Sequence, residues 1–254
     1  MSDSAAEPAD YVELRVQVLR VFTDPEGAYG NELGVVFDAA DLPAELGIRL
    51  AGHLGFSETV FIDEEKRAAF RIFTPASELR LAGHPTVGTA WVLGERAGAV
   101  PQVVRPRLAS EVPAWRENTD EGEGEGESDR VWIRGAVADA QPWEYVQLDD
   151  PAEIDALVPQ TGPDPVPQRQ HHQFWAWIDE QRGIVRARTF CTDVGVPEDE
   201  ATGSAAIHLA HGLARPITIR QGRGSIIEAR PAATAGWIEI GGRVVSDGFR
   251  AVSL

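Results

Sequence analysis

The chain has 254 residues, 43% hydrophobic and 25% charged, the proportions of a globular protein with one large domain or two of about 120 residues. Its formal net charge is −17, which repels nucleic-acid phosphates and anionic lipid, and no apolar run approaches the roughly 18–20 residues of a membrane span. The N-terminus has no basic n-region and no apolar h-region, so a cytoplasmic protein is expected; one cysteine, Cys191, excludes an internal disulfide framework, a Cys-rich metal site and any chemistry that needs two thiols.

Residues 1–10 read as a disordered tail. "RVQVLRVFT" (15–23) alternates β-branched residues as a strand does. "GAYGNELGVVFD" (27–38) is a Gly/Asn turn feeding a second apolar run. "LPAELGIRLAGHLG" (42–55) has helical spacing and ends at Gly52 or Gly55. "SETVFID" (57–63) and "AAFRIFT" (68–74) are strands, and "GHPTVGTAWVLGERAG" (83–98) is a helix stopped by glycine. The acidic, low-complexity "TDEGEGEGESD" (119–129) cannot bury a core and reads as a loop or linker. It separates an N-terminal lobe, 1–118, from a C-terminal lobe, 130–254. Strands follow at "VWIRGAV", "QFWAWID", "GIVRARTF" and "RGSIIEARP", with a helix over 202–213 among them. "GWIEIGGRVVSDGFRAVSL" (236–254) reads as a closing strand pair turning at Gly241-Gly242, and these last strands could complete the first lobe.

The two halves echo each other. "RIFT" (71–74) resembles "RTFCT" (188–192), and after a loop of nearly equal length Thr86-x3-Ala90-x2-Leu93 resembles Thr202-x3-Ala206-x2-Leu209. Each half is then a strand, a short loop and a buried helix, and the chain is α+β: two pseudo-symmetric lobes, each a barrel-like, mostly antiparallel sheet around a central helix. Two helix N-termini facing a shared cleft would offer unbonded N–H groups and positive dipole ends to a small anionic ligand, with Gly83, Gly88 and Gly203 letting the backbone approach it.

Single residues carry two readings each. Glu198, Asp199 and Glu200 before Thr202-Gly203-Ser204 suit a helix N-terminus on electrostatic grounds alone; Asp199 could instead orient His84 or the substrate. Glu58 at a strand start is solvated or, if buried, a proton exchanger near neutral pH. His84 at a helix start would be held neutral by the dipole, able to hydrogen-bond or shuttle a proton. "ATGSA" is no nucleophile elbow, so Ser204 does not read as a nucleophile. Cys191 reads as an inert core residue. His171-His172 face opposite sides of a strand and do not form a metal pair, whereas Trp175 and Trp177 share a face as core or interface.

Taken together, "GNELGVV" (30–36), "GFSETVFI" (55–62), "FTPASELRLAGHPTVGTA" (73–90), "EDEATGSA" (198–205) and "RQG" (220–222) resemble the phenazine-biosynthesis PhzF-like family, of the diaminopimelate-epimerase-like fold. The resemblance implies two barrel-like lobes, a homodimer, a cleft between the lobes, and neither cofactor nor metal. It implies isomerisation by a proton shift, as on a cyclic dihydro-hydroxyanthranilate, with Glu58 moving the proton and His84 and Asp199 as its catalytic companions. Asn31, Ser57, Gly83, Pro85, Thr86, Thr202, Gly203 and Ser204 are the substrate-binding residues so implied. Racemases and epimerases of this fold place a cysteine at each helix start; here those places read Ala82-Gly83-His84 and Thr202-Gly203-Ser204. Glu200 stands where the family often has proline, and "RQGRGS" looks like a shortened loop. The expected function is a cofactor-independent isomerase of a small carboxylate-bearing metabolite. A non-catalytic binder on the same scaffold, or a hydrolase or lyase using the same acid–base residues, are the alternatives.

Overall fold

The computed structural model describes residues 12–117, 130–159, 171–191 and 196–254; the tail 1–10 and the acidic run 119–129 lie outside them. Alternation in β1 (Glu13–Thr23) buries Leu14, Val16 and Val18. It pairs antiparallel with β2 (Asn31–Val36). Helix α1 (Ala44–Leu54) buries Leu46, Leu50 and Ala51, and ends at Gly55 rather than Gly52 because Gly55 adopts the left-handed φ of 71° that closes the helix. Strands β3 (Glu58–Glu64), β4 (Ala69–Phe73) and β5 (Glu78–Leu79) lead into helix α2 (Gly83–Ala97). Strands β6 (Val103–Pro106), β7 (Val112–Glu117) and β8 (Arg130–Ala136) follow. Glu117 and Arg130, which flank the acidic run, face each other in the β7–β8 ladder.

The second half contains β9 (Glu144–Gln147), α3 (Pro151–Asp155), β10 (His172–Asp179), β11 (Ile184–Cys191) and β12 (Val196–Asp199). Helix α4 (Gly203–Leu213), β13 (Ile217–Gln221), β14 (Ser225–Pro231) and β15 (Trp237–Ser253) complete it. The pairing scheme repeats element by element. Strand β2 runs parallel to β3, β3 antiparallel to β4, β4 antiparallel to β5 and parallel to β6, and β6 antiparallel to β7. Strands β9, β10, β11, β12, β13 and β14 repeat those relations in the same order. The internal repeat is therefore real. The register of its helix match is corrected: Ala82 and Thr202 are the equivalent N-caps, so Thr202 corresponds to Ala82 and not to Thr86, a turn further in.

Strands β1, β2, β3, β4, β6, β7, β8 and β15 close into a ring of eight, because β15 pairs with β8 on one side and β1 on the other. Inside it lies α2, whose residues from Gly83 to Gly94 are all buried, as befits a helix without a polar face. Gly88 fits this helix to the barrel wall: a Cβ there would come within 2.6 Å of Leu33 and 3.0 Å of Val21. It thus packs against the wall and does not open the backbone to a ligand. Strands β14, β13, β11, β10 and β9 continue the same sheet past β15 and carry α4, whose Ala205, Ala206, Ile207, Leu209 and Ala210 are buried. The fold is thus α+β, with two pseudo-symmetric halves.

The expected turn at Gly241-Gly242 is absent. Both residues lie within β15, a single 17-residue strand. They are glycines because aromatic rings lie across the strand at those points: a Cβ on Gly241 would come within 2.3 Å of the Trp132 ring, and one on Gly242 within 2.6 Å of Phe22.

Candidate active site

Helices α2 and α4 meet at their N-termini. A Cβ on Gly83 would sit 2.5 Å from the Gly203 Cα, and one on Gly203 2.6 Å from the Gly83 Cα. Only glycine allows the two first turns to touch. Neither helix is capped by its N-cap side chain, in contrast to α3, where the Asp150 side chain accepts from the Ala152 N–H. Pro85 follows in the first turn of α2, where its missing N–H costs nothing. The first-turn N–H groups of both helices, and the positive ends of both dipoles, therefore face the same place.

A cleft of about 250 Å³ opens there. Ser57, Glu58, Gly83, His84, Asp199, Thr202, Gly203 and Ser204 line it, eight of the residues expected at the site. Asn31 lies behind it, facing a neighbouring hollow. Pro85 and Thr86 are buried and outside its lining; the Thr86 hydroxyl donates back to the Ala82 carbonyl at 2.7 Å within its own helix.

The three consecutive acids divide by strand geometry. Glu198 and Glu200 point away, Glu198 onto Arg188 and Glu200 onto Arg223 and Ser225. Asp199, between them, points in and is buried. Its Oδ1 accepts from Asn31 Nδ2 at 2.6 Å and its Oδ2 from the Thr202 hydroxyl at 2.6 Å. Asp199 and Thr202 therefore do not serve as ordinary helix caps: the hydroxyl that could cap α4 is turned onto the carboxylate. Asn31 Nδ2 also donates to the Ala201 carbonyl at 3.0 Å, with His84 Nδ1 at 3.4 Å, and its Oδ1 lies 3.5 Å from the Ser57 hydroxyl.

Glu58 and His84 face each other, Oε2 to Nε2 at 3.6 Å. Both of these atoms are buried without a hydrogen-bond partner among the described residues. Two unsatisfied polar atoms at one spot are costly in a folded protein, and they mark a place where a ligand group is expected. Burial raises the Glu58 carboxyl above the usual carboxylate range, and the nearby Asp199 charge adds to this. Burial likewise raises Asp199, opposed by its hydrogen bonds from Thr202 and Asn31. Burial pushes His84 down to about 3, against a hydrogen bond with the Glu32 backbone, so the imidazole is neutral. The arrangement can hold one proton between two carboxyls beside a neutral imidazole, next to two helix starts that attract an anion.

Several lining residues were not anticipated. Trp143 donates its indole N–H to the Ser204 hydroxyl at 2.8 Å, and His171 sits edge-on against that ring. Leu79, Leu81, Pro75 and Gln141 add to the walls. These come from loops and short strands without periodic pattern, and only proximity in the fold selects them. Cys191 is buried as expected but also lines the cleft. His172 pairs with Glu144 at 2.9 Å, and among the described residues no cluster of metal-ligating side chains occurs. Trp175 and Trp177 do share a face, in ring contact at 5.2 Å.

A family model described as "Phenazine biosynthesis-like protein" matches residues 19–134. Over 233 residues the chain is 30% identical to the trans-2,3-dihydro-3-hydroxyanthranilate isomerase of Pseudomonas aeruginosa, covering 78% of this chain and 79% of that one. It is 29% identical over 265 residues to an uncharacterized isomerase of Deinococcus radiodurans, covering 89% and 86%. The crystal structure of a phenazine biosynthesis protein of the PhzF family from Bacillus anthracis superposes with a TM-score of 0.73 at 20% identity, over 95% of this chain and 99% of that one.

Proposed function

Because the chain belongs to the phenazine biosynthesis-like, or PhzF, family of isomerases, we propose that it is a cofactor-independent isomerase that moves a proton on a small carboxylate-bearing metabolite held between α2 and α4. The observation that carries this reading is the pair of buried atoms, Glu58 Oε2 and His84 Nε2, without a partner among the described residues, at the mouth of two helix N-termini. The substrate carboxylate sits on the first-turn N–H groups. Glu58, poised near neutrality and protonated at rest, gives its proton to one carbon and takes one back from another. The two half-steps balance, so no electron, group or net proton has to enter. Neutral His84 hydrogen-bonds the reacting end, and Asp199 holds Asn31 and Thr202 around it. No cysteine stands at either helix start, so the two-thiol exchange of racemases is not the chemistry proposed.

The test is to incubate the protein in D2O with trans-2,3-dihydro-3-hydroxyanthranilate and a panel of unsaturated small carboxylates, following isomer formation and deuterium incorporation by NMR. Conversion that the Glu58→Gln variant loses supports the proposal; saturable binding with no exchange on any of them would favour a carrier instead. A homodimer is part of the same reading, checked by light scattering at micromolar concentration, where a monomer mass would count against it.

A further inference from the structure

We infer that Gln221, which does not line the cleft, is a positioning residue: it sets the direction of the hydrogen bonds around Asp199 so that the proton of the Glu58–Asp199 pair resides on Glu58. Gln221 is fully buried at the end of β13. Its Nε2 lies 2.9 Å from the Asp199 main-chain carbonyl and 2.8 Å from the Thr202 hydroxyl oxygen. A carbonyl oxygen can only accept, so the amide must present its NH2 to both partners. The Thr202 hydroxyl accepts from Gln221, and its single hydrogen is directed at Asp199 Oδ2, 2.6 Å away. The same logic holds on the other oxygen. Asn31 Nδ2 is oriented by the Ala201 carbonyl at 3.0 Å and donates to Asp199 Oδ1 at 2.6 Å.

Both Asp199 oxygens therefore meet donors whose polarity is fixed by backbone carbonyls. A proton on Asp199 would face a donor on either side. Glu58 Oε2 has no donor among the described residues, and the Ser57 side chain is the one hydrogen bond among those residues that opposes the rise of this carboxyl. The other titratable groups around the pair are His84 on α2, and Glu198 and Glu200 on either side of Asp199, both ion-paired with arginines; His171 and Cys191 line the same cleft. Among the described residues, the side chains that hydrogen-bond to Asp199 Oδ1 and Oδ2 are Asn31 and Thr202. Gln221 is itself held by Gln173, whose Nε2 lies 3.4 Å from Gln221 Oε1, so a buried chain of amides reaches from β10 to the cleft without touching it.

The inference rests on the proposed role of Glu58 only for its consequence in turnover; the position of the proton can be read without a substrate. The measurement is 13C NMR of the chain labelled at the Glu and Asp carboxyl carbons, titrated across neutral pH. The Glu58 and Asp199 signals are assigned by their loss in Glu58→Gln and Asp199→Asn. In the native chain Glu58 should titrate above Asp199. Gln221→Leu frees the Thr202 hydroxyl to accept from a protonated Asp199 and should raise the Asp199 midpoint by about half to one pH unit, the worth of a neutral hydrogen bond, narrowing the gap to Glu58. Thr202→Val, which removes only the hydroxyl, should shift it the same way and decides the matter should Gln221→Leu not fold. Glu58 titrating below Asp199 in the native chain, or unchanged midpoints in a folded variant, would overturn the inference. Midpoints that behave as expected in a protein that converts no substrate would leave this inference standing and remove the isomerase reading instead.

Discussion

At the scale of single residues, the cleft concentrates groups that the fold would be more stable without. Glu58→Gln keeps the shape and removes the acid. The variant should fold and bind while losing turnover by roughly 10²-fold or more in an isomerase assay; normal turnover would contradict the role assigned to Glu58. The same burial has a signature in stability. A carboxyl raised in the folded state binds its proton more tightly there than in the unfolded chain, so its contribution is present below the ordinary carboxylate range and is lost as pH rises through the raised value. His84 is shifted the other way: its contribution is present above about 6.5 and is lost as pH falls towards about 3. Thermal melts from acid to mildly alkaline pH should therefore show Glu58→Gln gaining over the parent on the alkaline side. His84→Gln should gain on the acid side. A constant offset in either series would mean that the group is not shifted as described.

At the scale of elements, the contact between α2 and α4 is made by Gly83 and Gly203, and its tolerance should be nil. Gly203→Ala places a methyl group 2.6 Å from the Gly83 Cα and 3.0 Å from Ile240, and should destabilise the fold by about 1–3 kcal/mol as an overpacked site does. Gly212→Ala, in the same helix with nothing within 4 Å of the new methyl, should instead stabilise by about 0.4–1 kcal/mol through the unfolded chain. Denaturant titration of the two variants checks both, and equal effects would refute the packing argument. Much at this scale was legible in the sequence. The alternation of β1 and the small-residue helical runs after Ala82 and Thr202 marked their elements, and the motif glutamate, histidine and aspartate marked residues that the fold then gathers. What was not legible has physical causes. Gly241-Gly242 looked like a turn because glycine permits one, but its neighbours on the sheet, Trp132 and Phe22, are far away in sequence and decide the matter. The Trp143 wall belongs to a segment too short to announce a site, and Gln221 stood in the "RQG" motif with no role that could be read before the halves are folded together.

At the scale of the whole molecule, β15 belongs to both halves: it pairs with β14 and β8 at its start and with β1 over its remaining length. Two halves that share a strand cannot melt separately. Calorimetry should show a single transition, with the calorimetric and van't Hoff enthalpies agreeing; two resolved peaks would mean that the ring and the open sheet are independent units.

The shared strand also has a consequence in time. Gln17 on β1 bonds Ser246 on β15 across 229 positions of chain, and everything in the second half is threaded between them. A ribosome delivers the sequence from one end. The barrel that β1 begins therefore stays one stave short while the entire second half is being made, its apolar inner wall open to any chaperone or wrong edge that arrives first. Strand β1 emerges before every other described element and is among the last to be finished, so the hazard of misfolding falls on the half made before its partner.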